Sequence, residues 1–400
     1  MDIFKWIYSL WSLAMHDTTS IAVINPVYQN RLLEINNVEF EPVGTLFKVP
    51  GYHEHNYLVD INKIFSSSPG YGLTDRTGKV KQPVKYYSPK SIIFPSKIYS
   101  LDEAAQATVS QISSKNTKIN VFWSGGIDST FITTAFLKHL GDLSQLRILY
   151  SPWSTYEHPE YINFLKKFPK VELIDISGDV YLSTQSLDGY YITGDGGDES
   201  HASLDEEFFK KYGFDALHST WVDFFRKNNN DEKFIEFCYR YFATSAIEIQ
   251  TLLEARWWFY ISCKFHGHTF YIKWPFMLGG YDNFTPDRLI SFFDNEYYQS
   301  FAYNSINKIL VRDDYTYWKQ FLKDYCYEFD CLEMWWLTHK KLTSTQIFEY
   351  NFKKIALLDR RWLMFLNDGT RIATPNLPFF SAREFNDCYG NSLSELFNVL

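Results

Sequence analysis

Short apolar runs alternate with stretches of helical period through the centre of the chain. Ile119–Trp123, Arg147–Tyr150, Val171–Ile176 and Tyr190–Thr193 read as strands, each rich in Ile, Val, Leu or aromatic residues. Between them, helical patterns run from about Ser129 to His139 and from Pro159 to Phe168. Ser100 followed by Glu103 has the form of a capping box, opening the helix LDEAAQATVSQIS. This alternation predicts βαβ units, hence an α/β fold with a parallel sheet and helices on both faces. The flanks differ. Residues 1–95 look like a small β-rich region, in which TSIAVINPVY, NYLVDI and KSIIFPS are separated by Gly, Pro and Asn. From about residue 204 the patterns are mostly helical and rich in Trp, Tyr and Phe, as in FIEFCYRYF and CLEMWWL. There Glu254-Ala255-Arg256-Trp257-Trp258 reads as a helix face packing aromatics, and RKNNNDEK (226–233) as one exposed loop.

Composition narrows the function classes. A chain of 400 residues with 46% apolar and 22% charged residues has room for more than one core. Aromatics reach 19% without a repeat, which suits core filling better than a base-stacking surface. The net charge of −8 argues against a phosphate-backbone binder, so nucleic acid is not an expected partner. Cys238, Cys263, Cys326, Cys331 and Cys388 show no CxxC spacing, and reduced thiols in a cytoplasmic protein are expected. The opening MDIFKWIYSLWSLAMHDTTS is interrupted by Lys5 and reads as a core or amphipathic helix, not a signal peptide. No apolar window reaches the ~18 residues of a membrane span.

The chemistry begins at VFWSGGIDSTFI, where a strand runs through two glycines into a helix. Glycines let backbone N–H groups approach oxygen atoms closely, and a helix N-terminus adds free donors and the positive end of its dipole. Ser124, Gly125, Gly126, Asp128 and Ser129 are therefore candidate phosphate-binding residues. The spacing is neither the Walker pattern, which needs a Lys, nor G-x-G-x-x-G. Asp128 would repel bare phosphate, and makes sense with a divalent cation between them. A second strand, YYIT, runs into GDGGDES, crowding Asp195, Asp198 and Glu199 into one turn. Open α/β sheets bind ligands at the C-terminal edge of their strands, so the two turns are expected to share one Mg²⁺–nucleotide site.

The first turn resembles the pyrophosphate loop of the N-type ATP pyrophosphatases, which cleave ATP between the α and β phosphates. Taken with the second, it resembles the synthetase domain of asparagine synthetases, whose second loop reads Gly-(Asp/Glu)-Gly-x-Asp-Glu. The resemblance covers about residues 85–395. YEHPEYINFLKKFPKVELIDIS (156–177) is similar to the family's acidic helix and following strand. LLDRRWLMFLNDGTRIATPNLPFFSAREF (357–385) is similar to its helix, Gly-x-Glu-x-Arg stretch and Pro-Phe-Leu-Asp. The resemblance implies an adenine nucleotide alpha hydrolase-like sheet and an ATP pyrophosphatase synthetase domain over residues 96–400. It further implies adenylation of a small-molecule carboxylate with release of pyrophosphate, then displacement of AMP by ammonia or an amine. ATP and Mg²⁺ would be the cofactors. Asp128 and Asp198 would hold the metal, Ser151 and Gly194 would line the nucleotide, and Asp195 would take a proton from the attacking amine.

The departures are specific. Asp2 stands where the family usually has the glutaminase Cys, so residues 1–95 are expected to be a reduced remnant, with any glutaminase a separate subunit. Arg371 and Ser381 stand where the family has Glu and Asp. For the family's pyrophosphate-binding Lys, the candidates are Lys340, Lys341, Lys353 and Lys354, downstream of the second loop. The alternatives are a related enzyme modifying a nucleobase or nucleotide, and an inactive nucleotide binder. His53-x-His55, which would point the same way on an extended chain, and Cys263/His266/His268 lack a complete ligand set and read as surface or core residues.

Overall fold

Five short strands lie side by side in the computed structural model, all running the same way. The structure describes residues 53–65, 73, 75–81, 92, 97–176, 187–201, 206–229, 231–265, 288–306 and 317–332, and three outlying strands. Strands are numbered in chain order: β1 (Ala22–Ile24), β2 (Ile119–Phe122), β3 (Leu146–Tyr150), β4 (Glu172–Asp175), β5 (Tyr190–Thr193), β6 (Leu289–Ser291), β7 (Trp362–Phe365) and β8 (Arg371–Thr374). The parallel sheet has the order β4-β3-β2-β5-β6, and β1-β7-β8 form a separate antiparallel sheet.

The helices are α1 (His53–Phe65), α2 (Leu101–Ser113), α3 (Ile127–His139), α4 (Pro152–Glu157), α5 (Pro159–Leu165), α6 (Gly197–Ser200), α7 (Glu206–Tyr212), α8 (Trp221–Asn228), α9 (Glu232–Phe242), α10 (Leu252–Phe259), α11 (Glu296–Ile306) and α12 (Tyr317–Asp330). The capping box at Ser100 forms: its side chain accepts from Glu103 N, and the Glu103 carboxylate accepts from Ser100 N. α3 is buried almost all round, which its unbroken run of Thr, Phe, Ile, Ala and Leu allows. It packs against α2, α12 and β2. Phe131 of α3 meets Phe292, Phe293, Tyr298 and Tyr325, so one ring ties α3 to the end of β6, α11 and α12. Burying such a side chain contributes about 1.5–3 kcal/mol. In α10 Arg256 and Trp257 are fully buried among aromatics, as the sequence pattern suggested.

Three readings of the flanks are corrected. RKNNNDEK is not one loop: Arg226, Lys227 and Asn228 end α8 and Glu232 and Lys233 open α9, leaving only residues 229–231 between the helices. NYLVDI is not a strand but the middle of α1. Its buried residues, His55, Leu58, Val59, Ile61, Asn62 and Phe65, recur at helical spacing, with Glu54 in the first turn and Lys63 in the last. His53 and His55 therefore lie on a helical turn, His53 exposed and His55 buried, and do not point the same way. In the C-terminal stretch, Trp362–Phe365 and Arg371–Thr374 form an antiparallel pair where the resemblance implied a helix. β1 falls within TSIAVINPVY; KSIIFPS, apart from Ile92, lies outside the described residues, as do Asp2, Ser381 and Cys388. No described helix is long and apolar enough to cross a membrane. Among the described residues, Cys238, Cys263, Cys326 and Cys331 form no disulfide, and the first three are buried.

Candidate active site

The first loop is tied into a ring by its own serines. Ser129 Oγ donates to Gly126 O at 3.0 Å and accepts from Ser124 N at 3.0 Å, while the two serine hydroxyls share a third bond of 3.0 Å. Gly126 caps α3 with no side chain of its own, which leaves the first turn of a 13-residue helix facing the loop. Gly125 has φ +85°, and a Cβ there would lie 2.5 Å from the backbone oxygen of Ser154. No side chain fits. Ser154 Oγ donates to Trp123 O and accepts from Ser151 N, clamping the end of β2 to the start of α4. Ser151, the N-cap of α4, thus sits beside the loop at the end of β3. Glu157, which sequence reasoning did not single out, is buried against the same loop: its Oε1 lies 3.6 Å from where a Gly126 Cβ would stand.

The second loop follows β5 and touches the first. A Cβ on Gly194 would lie 3.4 Å from Asp128 Cβ and 3.4 Å from Ser129 N, and one on Gly197 would lie 3.3 Å from Asp128 Oδ1. Gly196 adopts φ +86°, and a side chain there would run into the ring of Phe265. Phe265 follows a single π-helical turn, Tyr260–Lys264, that continues α10 and packs on α6. The carbonyl of Asp195 is held by Ser291 Oγ from β6, and Glu199 is buried. Ser124, Gly125, Gly126, Asp128, Ser129, Ser151, Gly194, Asp195 and Asp198 are therefore gathered at the C-terminal ends of β2, β3 and β5.

Lys319 joins the loops. Its ammonium lies 2.9 and 3.1 Å from the two Asp128 carboxylate oxygens and 3.0 Å from Asp198 Oδ1. Burial alone would favour the neutral amine. Asp128 first and Asp198 next outweigh it and hold the ammonium charged, above the ordinary lysine range. Nζ also sits 4.0 Å from the centroid of Trp318, whose buried indole stacks on His201 at 4.8 Å. His201 shares a 3.0 Å hydrogen bond with Tyr298, and burial, then Lys319, pushes its pKa down to about 3. The imidazole stays neutral. Sequence reasoning missed Lys319 because it stands among aromatics on a distant helix, with no motif around it. Lys340, Lys341, Lys353 and Lys354 lie outside the described residues.

No family model, no curated protein and no solved structure matches this chain. Its chemistry has to be read from the loops themselves. Two carboxylates from separate loops face one cation position, and oxygen donors of this kind suit a hard divalent ion such as Mg²⁺. Among the described residues no group of three or more His, Cys, Asp or Glu side chains assembles a metal site. Of the weaker candidates, Cys263 is buried within the π turn, and His266 and His268 lie outside the described residues.

Proposed function

We propose that the chain is an ATP-dependent, AMP-forming amide ligase, related to the synthetase domain of asparagine synthetases and sharing its adenine nucleotide alpha hydrolase-like fold. The observation that carries this reading is the meeting of SGGIDS and GDGGDES on Lys319 at one strand edge. In the first step a substrate carboxylate oxygen bonds to the α-phosphorus of ATP, and the bond from that phosphorus to the bridging oxygen breaks, releasing pyrophosphate. In the second, ammonia or an amine bonds to the carbonyl carbon and AMP departs with the C–O bond pair.

The chain's part is positioning and charge. Backbone N–H groups of residues 124–129 and the α3 N-terminus hold phosphate oxygens. Ser151 and Gly194 line the nucleotide. Lys319 offers its ammonium to the departing pyrophosphate. Asp195 receives the proton that the amine loses as it attacks. When bound between Asp128 and Asp198, Mg²⁺ supplies further charge neutralisation at the phosphates. Cys238, Cys263 and Cys326, buried and not joined in disulfides, suit a reducing cytoplasm. The ammonia comes from solution or from a separate glutaminase subunit.

The test is ATP/pyrophosphate exchange with Mg²⁺ against a panel of small carboxylates. A true substrate is expected to stimulate exchange, with AMP and amide as final products. ADP and phosphate as the only nucleotide products would refute the assignment.

A further inference from the structure

Lys319 stands at the point to which both carboxylates turn. Its Nζ is within 3.1 Å of both Asp128 oxygens and 3.0 Å from Asp198 Oδ1, so it uses the lone pairs that a metal would need. An ammonium and a divalent ion cannot share that position, because like charges at such distances repel strongly where water is scarce. The ammonium has another favourable contact, the Trp318 ring at 4.0 Å. Trp318 is itself fixed by its stack on His201 and by burial beside Gly197. The root of Lys319 is therefore firm while its tip rests on groups with a second use.

We infer that Lys319 is a tethered cation that keeps a free divalent ion out of the site until nucleotide arrives. The metal then enters with the phosphates, whose negative charge draws the ammonium off Asp128 and Asp198. This rests on the reading of the two aspartates as metal ligands. It goes further in making metal binding conditional on nucleotide, and it names the side chain that imposes the condition. Removing the lysine charge takes away the ammonium that the two carboxylates share, and a divalent ion with oxygen ligands can take up that charge.

Mn²⁺ binding to the full chain, followed by the electron paramagnetic resonance of the free ion, tests the inference without any turnover. The wild-type chain is expected to bind Mn²⁺ weakly alone and tightly with α,β-methylene ATP. Lys319→Met should bind Mn²⁺ without nucleotide at least ~10-fold more tightly than wild type, given the loss of one adjacent unit charge. Lys319→Arg should behave as wild type, and Lys319→Met combined with Asp198→Asn should lose the gain. Lys319→Gln serves as the second neutral variant should the methionine form fail to fold. Wild-type binding of Mn²⁺ alone as tightly as with nucleotide would overturn the inference and leave the metal site standing. So would neutral variants that gain no affinity. Absence of Mn²⁺ binding by every form, nucleotide included, would remove Asp128 and Asp198 as metal ligands and the inference with them.

Discussion

Asp195 and Asp198 stand in one turn, yet Asp198 meets Lys319 while the carbonyl of Asp195 is held from the side of β6. Asp195→Asn keeps the shape and removes the base. Pyrophosphate exchange should survive it, while amide formation falls by ~10²–10⁴. Asp128→Ala and Asp198→Ala should lose exchange itself. If Asp195→Asn loses exchange as fully as Asp128→Ala, the division of roles is wrong. His201 gives a second prediction, on pH. Its folded pKa of about 3 lies below the ordinary 6.5, so below pH 6.5 the unfolded chain takes a proton that the folded chain refuses. The associated stability is complete above pH 6.5 and is lost as the pH falls towards 3, by at most about 5 kcal/mol across that window. His201→Phe, which keeps a ring on Trp318, should flatten this acid limb in thermal melts at stepped pH. An unchanged limb would mean that another group carries it.

The helix α3 is flanked by glycines that do different work. A Cβ on Gly125 would strike the Ser154 backbone, and φ is +85°; Gly141, past the other end, has nothing within 4 Å. Gly125→Ala should cost more than the roughly 1–2 kcal/mol of a left-handed residue alone, and should abolish exchange. Gly141→Ala should stay within about 0.5 kcal/mol of wild type by urea unfolding. The strands beside α3 were legible in the sequence, their ends falling within a residue of the expected ones, because buried parallel strands leave dense apolar runs between helical periods. α1 was not. NYLVDI mixes β-favouring residues with a helical spacing that only the longer run His53–Phe65 reveals. The glycines and acids of both loops were visible because their chemistry sits within a few consecutive residues. Lys319, Glu157 and the π turn reach the loops by tertiary packing, which leaves no local trace.

Across the molecule, the segment around residue 76 is sewn into the sheet's ligand edge. The Arg76 guanidinium bonds Asp294 just past β6 at 2.8 Å, with both side chains buried, and reaches the carbonyl of Ile261 in the π turn. It also lies 5.5 Å from the centroid of Phe265, the ring against Gly196. Breaking a buried pair leaves an uncompensated charge, so Arg76→Met should destabilise the chain by about 3–5 kcal/mol. Urea unfolding would check it, beside Lys97→Met, whose exposed partner Glu103 should make the change too small to detect. Equal effects of the two would deny the segment its place in the core. α1 and the helices α8 to α10 share one continuous hydrophobic cluster with the strands, which predicts a single cooperative unfolding transition over these elements.

The bridge made by Lys319 also has a consequence in time. A ribosome delivers both acidic loops well before it delivers α12, on the order of ten seconds earlier at ~5–20 residues per second. During that interval Asp128 and Asp198 have no lysine between them. The half-made sheet is then an acidic nascent chain whose two loops repel, and if the two aspartates are the metal ligands proposed above, ambient Mg²⁺ would be the cation at hand to hold them together. On that proposal, the mature protein's internal charge would be the second occupant of its place, and the ion concentration around the ribosome would bear on how readily the sheet forms.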